Sequence, residues 1–373
     1  MNEPNLLGME IHSAAPVRMS FAGGGTDVTP FPERYGGMVV NATISTYMRA
    51  HLRLRTDDVV VIRANTRPEP IVYPHLSRMR FDGRLDFIKA IAKAMYRRRE
   101  GFELTLESAV RMRSGLGGSG AMCVAVQGAF NHLRRAGRLS IRELAELAYT
   151  TETMVLRNAS GRQDQYAAAF GGINHMAFDG DRVTLTPVDV APEGLRRLAD
   201  GLLLLDLGER SAASGGIIEE QTRGVEAGGD VLKAMRETVA CVVEMCDAIR
   251  HADLPRVGEL LDVLWTRKKR FCSRISNSRI DRIYEAMRAA GMVGGKVTGA
   301  GGGGHMMACC DPARRKDVAA AARDMGAVVV PFKFVFHGLR TWHTPAAASA
   351  GAYVPHGRAV SAIEPPASAA GAE

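Results

Sequence analysis

Four short stretches of the chain combine glycine with hydroxyl, carboxylate or guanidinium groups at spacings that can do chemistry. In Ser114-Gly115-Leu116-Gly117-Gly118-Ser119-Gly120, four glycines fall within six residues, between a strand-like run and a helix-like one. Such glycines let a backbone close around a bulky anion, while a helix N-terminus turns free N–H groups toward it. Ser119 stands at the mouth, where a hydroxyl can ligate the Mg2+ of a bound nucleotide. No Lys follows, so the loop is not the common GxxxxGKS/T type. The second stretch runs from Lys296 through Val-Thr-Gly-Ala to Gly301, Gly302, Gly303 and Gly304. A dinucleotide fingerprint needs strand, glycines and helix in that order, with an acidic residue about 20 positions on. Here the strand-like HMMACC follows, and the next helix begins only after Pro312. A loop packed against a substrate or a triphosphate remains.

The third stretch joins Arg18 to Ala22-Gly-Gly24-Gly25-Thr26-Asp27, a strand that turns on small residues and ends in a carboxylate suited to sugar hydroxyls. An ordinary Gly-Thr-Asp turn is the competing reading. The fourth is Gly161-Arg-Gln163-Asp164-Gln-Tyr, twelve residues after Glu152 counted to Asp164. A general base for a hydroxyl must be a carboxylate or comparable acceptor within hydrogen-bond reach. Asp164 qualifies, although a helix cap would use the same residue type.

The elements that must position these groups follow from periodicity. Residues 10–22 end in alternation, with Val17, Met19 and Phe21 on one face and Arg18 and Ser20 on the other. Residues 45–65 read as a hairpin turning at Asp57–Asp58. The spacing of Phe87, Ile88, Ile91 and Met95 predicts a helix, and FELTLES the strand before the first glycine loop. Met122, Val126, Ala129 and Leu133 mark the helix after it. Ser140 and Glu143 make a capping box for a helix running through Glu152. INHMAF and RVTLTPV flank a Gly-Asp turn, and LLLLDL is a buried strand. Residues 228–291 are mostly helical. Strands GGKVTG, HMMACC and AVVVPFKFVF, with a helix before the last, close the ordered chain.

A length of 373 residues allows two domains. With 46% apolar and 24% charged residues, the composition excludes a mainly disordered chain. The net charge of +8 is spread in short runs, which suits phosphorylated small molecules better than nucleic acid. The six cysteines form no CxxC pair and lie mostly in apolar stretches, as reduced buried thiols do. No secretory signal or bilayer-length apolar run is visible, so a cytoplasmic protein with no membrane contact is expected. Residues 344–373 are rich in Ala, Pro, Gly and Ser and read as a disordered tail.

Taken in order, the four stretches resemble the GHMP kinase superfamily over roughly residues 11–340. SGLGGSGA is similar to its phosphate loop, PxxxGLGSSA, and KVTGAGGGG to its third motif. AGGGTD, GRQDQYAAAFGG, ISNSRID and GGKVTGAGGGG most resemble the D-glycero-D-manno-heptose 7-phosphate kinases, which phosphorylate an anomeric hydroxyl. The resemblance implies a two-domain α+β fold. A ribosomal-protein-S5-like domain would span 1–195 and a ferredoxin-like domain 196–343. It also implies ATP and Mg2+ as cofactors, a sugar phosphate as substrate, and a monomer or homodimer.

By the same resemblance, residues 114–120 hold the nucleotide, Ser119 and Glu152 the metal, and Asp164 and Arg18 serve catalysis. Gly24, Gly25, Thr26, Asp27, Gln163, Gly301 and Gly302 are candidates for the sugar. Gly24 and Gly25 stand where galactokinases place a glutamate and a histidine, which disfavours galactose. Within the phosphate loop Arg111 replaces the proline, Gly118 the first serine, and Gly120 the small residue after Ser119. A second basic pocket for the 7-phosphate is expected among Arg267, Lys268 and Lys269 or at Arg53, with solvated helix ends as the competing reading. A fucose-like kinase and a ligand sensor without turnover are the alternatives.

Overall fold

The structure, a computed structural model, describes residues 8–111, 113–134, 137–155, 159–209 and 214–345. The chain runs β1 (Met9–Ala22), α1 (Phe31–Tyr35), β2 (Gly37–Leu54), β3 (Val60–Ala64), β4 (Ile71–Tyr73), α2 (Asp86–Met95) and β5 (Phe102–Ser108). It continues through α3 (Gly118–His132), α4 (Ile141–Thr150), α5 (Gln163–Phe170), β6 (Ile173–Asp179), β7 (Arg182–Pro187), α6 (Pro192–Gly201) and β8 (Leu202–Asp206). Four helices follow: α7 (Ser214–Ala227), α8 (Gly229–Arg250), α9 (Leu254–Lys268) and α10 (Ser278–Ala289). The last elements are β9 (Met292–Val297), β10 (His305–Cys310), α11 (Arg315–Asp324), β11 (Val328–Val330) and β12 (Arg340–Pro345).

Two sheets result. The first has the order β12-β1-β2-β5-β3-β4, with β6 and β7 continuing from β2. The second has the order β11-β8-β10-β9, antiparallel throughout. Counted along the chain its strands lie 4-1-3-2, with helices between the first two and the last two, the split βαβ arrangement of ferredoxin-like units. Alternate leucines of β8 face opposite sides. Leu202 and Leu204 join the large core with Met307 and Cys309, while Leu203 and Leu205 pack with Met306, Ala308 and the residues of α10 and α11. Helices cover both faces, so β8 and β10 read as continuous apolar runs. The fold is α+β.

Three sequence expectations are corrected. The hairpin expected across residues 45–65 does not form, because β5 pairs with β2 and lies between it and β3, which it meets in parallel. Gly101 explains this. It takes the backbone bonds of Arg55 and Asp57, and any β-carbon there would lie 2.0 Å from the Val59 carbonyl oxygen. The strand expected over AVVVPFKFVF is only Val328–Val330. Pro331 lacks a donor N–H, and the chain then crosses to the first sheet, where Phe334 bridges Ile44. The expected second domain to 343 and tail from 344 divide β12, whose Arg340–Pro345 pairs with β1 in the first sheet. The rest of that tail lies outside the described residues.

The capping box forms as read: the Ser140 hydroxyl accepts from the Glu143 amide, and the Glu143 carboxylate accepts from that of Ser140. Beyond α4, residues Thr151–Val155 widen into one π-helical turn carrying Glu152. Such turns recur at functional sites because they push one side chain off the helical register. Strand β1 is buried almost throughout, since α3, α5 and α8 all pack on β1. Arg18 therefore points from a buried strand into a site, and not to solvent.

Candidate active site

The SGLGGSGA loop leaves β5 and enters α3 at the bottom of a cleft of about 590 Å³. Gly117, in the left-handed region at φ 74°, makes the turn, and no side chain caps the first turn of α3. Its amide groups are thus left for a ligand. The loop is locked from both halves of the chain. The Arg18 amide donates to Leu116 O at 3.0 Å, while the His305 amide and Nδ1 both meet Ser114 O, at 2.9 and 2.8 Å. A β-carbon on Gly115 would lie 2.6 Å from Thr298 O, and one on Gly299 would lie 2.6 Å from the Gly115 Cα. The two glycine loops touch backbone to backbone.

Asp164, in the first turn of α5, faces this loop. Its Oδ1 accepts from Arg18 Nε at 2.8 Å and Nη2 at 2.5 Å, and Arg18 Nη1 donates to Gly115 O at 2.7 Å. Arg18 is 3% exposed, while the Asp164 side chain stays partly open. Asp164 Oδ2 has no partner among the described residues and lies beside Gly117. Asp164 does not cap its helix through its side chain; Arg162 is the residue preceding the first turn. The helix-cap alternative does not hold.

Two further carboxylates converge there. Asp27 is held by the Gly25 amide at 3.1 Å, the Gln163 amide at 3.1 Å and Gln163 Nε2 at 2.9 Å. Burial, then the charge of Asp164, pushes its carboxyl above the ordinary range. Glu152 accepts from Ser119 Oγ at 3.3 Å and from Gln165 Nε2 at 2.8 Å. It is raised by the same two causes in the same order. The three acids share the cleft with Arg18, Arg111, Arg113 and Lys268. Among the described residues no group of three or more His, Cys, Asp or Glu is placed to hold a metal ion by itself.

Of the residues singled out in the sequence, the cleft gathers Arg18, Gly24, Gly25, Asp27, Ser114, Gly115, Gly117, Gly118, Ser119, Glu152, Gln163 and Asp164. Five expected contributors do not line it. Thr26 is fully buried, its hydroxyl bonded to Gly23 O at 2.8 Å and accepting from the Met38 amide. Leu116 belongs to the core, and Gly120 packs against the Asp164 side chain. Gly301 and Gly302 pack on Ile275, and Gly299 and Ala300 line the cleft in their place. Among the basic candidates, Arg53 is paired with Glu103, Arg267 with Glu237, and Lys269 lies over the Trp265 ring. Lys268 alone of that set lines the cleft, donating to the Val297 and Gly299 carbonyls.

Two further contributors were not among the site residues expected from the sequence, and Gln221 carries no local signal there. Gln221, from α7, lines the cleft and donates to Gly25 O at 3.1 Å. Lys296 lies under the site and donates to Ser20 O and Phe21 O at 2.9 and 3.3 Å; burial, then Arg18, lowers it to about 7. Its place at the head of the second glycine loop was the available clue.

A glycine loop at a helix start, a second glycine loop against it, and an Arg–Asp pair beside the first make an arrangement suited to a small-molecule phosphotransferase. The N- and C-terminal domain families of the GHMP kinases match residues 86–172 and 245–328, and the chain belongs to the GHMP kinases. More particularly, it is an ATP-dependent sugar kinase. The chain is 32% identical to the D-glycero-alpha-D-manno-heptose 7-phosphate kinase of Campylobacter jejuni, over 89% of this chain and 98% of that one. A crystal structure of a D-glycero-D-manno-heptose 1-phosphate kinase from Bacteroides thetaiotaomicron superposes with a TM-score of 0.74. That pair shares 27% identity, over 89% and 98% of the two chains. Lactococcus lactis galactokinase in complex with galactose shares the fold at a TM-score of 0.70 and 20% identity, over 89% and 95% of the chains. Among the described residues no helix is long and apolar enough to cross a membrane.

Proposed function

We propose that this sugar kinase transfers the γ-phosphoryl group of MgATP to the anomeric C1 hydroxyl of a heptose 7-phosphate. The product is the 1,7-bisphosphate, made in the cytoplasm by a monomer or homodimer and supplied to nucleotide-heptose formation. The observation that carries this reading is Asp164, with Oδ1 fixed by Arg18 and Oδ2 left beside the phosphate loop. The 32% identity to a heptose 7-phosphate kinase supports the choice of sugar.

Phosphoryl transfer asks a protein mainly for positioning and charge neutralisation. The free amide groups at the start of α3 would receive the triphosphate. Ser119 and Glu152 are the residues that would hold Mg2+. One carboxylate and one hydroxyl suit an ion that keeps water and phosphate oxygens in its other positions. When bound it would neutralise charge on the phosphates. Asp164 Oδ2 would take the proton of the anomeric hydroxyl, which is more acidic than other sugar hydroxyls. Arg18 orients that carboxylate through its two hydrogen bonds and offers charge to the transferring group. Asp27, fixed by Gln163 and the Gly25 amide, would bind sugar hydroxyls.

The test is ATP consumption with heptose 7-phosphate, heptose 1-phosphate, free heptose, fucose and galactose, with NMR of the product. Heptose 7-phosphate should be used best and should gain a C1 phosphate. A phosphate contact contributes roughly 1.5–3 kcal/mol, so the free heptose should be about one to two decades poorer. Equal efficiency on free heptose or fucose would refute the substrate assignment.

A further inference from the structure

Four cationic side chains line the cleft, and three have partners. Arg18 is engaged by Asp164 and Gly115 O, Arg111 by Asp206, and Lys268 by the Val297 and Gly299 carbonyls. The fourth, Arg113, has neither a hydrogen bond nor an ion pair among the described residues. It is exposed and immediately precedes Ser114, the first residue of the phosphate loop.

Its backbone is unusual too. Arg113 sits at φ 61°, in the left-handed region, which only two other non-glycine residues, Leu85 and Ala252, occupy among those described. A side chain with a β-carbon is disfavoured there, and such residues gather at ligand sites where the surroundings hold them in place. A glycine would serve the turn better. The backbone geometry gains nothing from an arginine, and neither does the folded chain without a ligand.

The ligand supplies the missing partner. MgATP brings net negative charge to a cleft already carrying Asp27, Glu152 and Asp164. The phosphate loop offers glycine at 118, where a hydroxyl would have added a donor. A guanidinium presents a planar fork of donors that matches phosphate oxygens and is weakly hydrated. We propose that Arg113 is a triphosphate clamp, a binding residue whose guanidinium closes over the phosphate oxygens of the nucleotide held by residues 114–120. This rests on the MgATP reading above. Position selects the nucleotide and not the sugar, because Arg113 is contiguous with the phosphate loop. Its carbonyl lies at Gly304, in the second glycine loop, while Asp27 and Gln221 both bond to Gly25.

The test uses the full chain, titrated calorimetrically with MgATP and with adenosine, and melted without ligand. Arg113→Gly removes both the guanidinium and the backbone conflict. It should raise the melting temperature while weakening MgATP by about one to two decades and leaving adenosine within about a factor of two. Arg113→Lys should recover part of the MgATP affinity and none of the gain in melting temperature. In both variants KM for ATP should rise while KM for the sugar phosphate stays unmoved. Unchanged MgATP affinity in Arg113→Gly overturns the clamp while leaving the kinase reading intact. So does an equal loss for adenosine, which marks a rearranged loop, and so does a loss confined to the sugar phosphate. An unaltered chain that binds no nucleotide defeats the clamp together with the reading beneath it.

Discussion

Replacing Asp164 by Asn tests the site most directly, because its effects on rate and on stability can be separated. The change keeps the shape and an oxygen acceptor for Arg18 but removes the charge and the proton acceptor. Loss of general-base help costs typically about 10²–10⁴ in rate, or roughly 3–5 kcal/mol of barrier. Stability should move far less, for a reason visible in the geometry. Breaking a buried pair by deleting one charge costs about 3–5 kcal/mol, but here Arg18 retains Gly115 O and an amide oxygen. The same carboxylate also burdens its neighbours, raising both Asp27 and Glu152. Removing it lets those two ionise more easily, which offsets part of the lost pairing. Asp164→Asn should therefore bind MgATP and sugar phosphate almost normally by calorimetry, melt within a few degrees of the unaltered protein, and lose at least about two decades of kcat. A variant with full turnover would refute the assignment of Asp164 as base. An unaltered protein that binds both ligands and transfers nothing would favour a sensor.

Ser119→Ala and Glu152→Gln should each raise the Mg2+ concentration needed for half-maximal rate while leaving the melting temperature nearly unchanged; an unaltered Mg2+ dependence in both would remove them from the metal site. Gly161→Ala would place a β-carbon 1.9 Å from Asp27 Oδ2, so denaturant unfolding should show a loss of about 1–3 kcal/mol and the KM for sugar should rise, whereas wild-type values for both would show that the Asp27 turn yields freely. Burial, helped by Arg138 and His343, holds His132 at about 4 against an ordinary 6.5. The unfolded chain therefore binds the proton more readily, and the contribution of His132 to stability is complete above pH 6.5 and is lost as the pH falls toward 4. Melting temperatures should decline across that window, less steeply in His132→Gln, and equal slopes would assign the acid sensitivity elsewhere.

Much of the cleft lining was legible because its residues lie close together in sequence. The glycines, the two serines of the loop, Glu152 in the π-helical turn just past the capped helix and Asp164 all occur in short runs whose residue types suggest a task. Order also counted: a strand after KVTGAGGGG excluded a dinucleotide site, and His305–Cys310 is that strand. What stayed illegible is set by contacts distant in sequence. Nothing near residues 45–65 announces that Gly101 will occupy the backbone bonds of Arg55 and Asp57 and insert β5 into the expected hairpin. Thr26 stands in a motif full of site residues, yet its hydroxyl turns inward to Gly23 and Met38. Basic clusters misled for the opposite reason: Arg53 and Arg267 look available in the sequence, but Glu103 and Glu237 neutralise them across the fold.

The same distinction explains why the second glycine run matters although Gly301 and Gly302 do not line the cleft. Its contribution is proximity. Gly299 and Gly115 approach so closely that neither tolerates a β-carbon. Ser114 O takes both donors of His305, and Lys296 grips the Ser20 and Phe21 carbonyls just beyond Arg18. Two contacts from the second sheet and one from the glycine loop between its strands β9 and β10 thus hold the two segments that carry residues 114–120 and Arg18. Displacement of either by about 1 Å can cost roughly 100-fold in rate, since transfer depends on near-attack geometry. The C-terminal half is therefore part of the catalytic apparatus through backbone fit, even though the proposed base, the metal ligands and the sugar carboxylate all come from the N-terminal half.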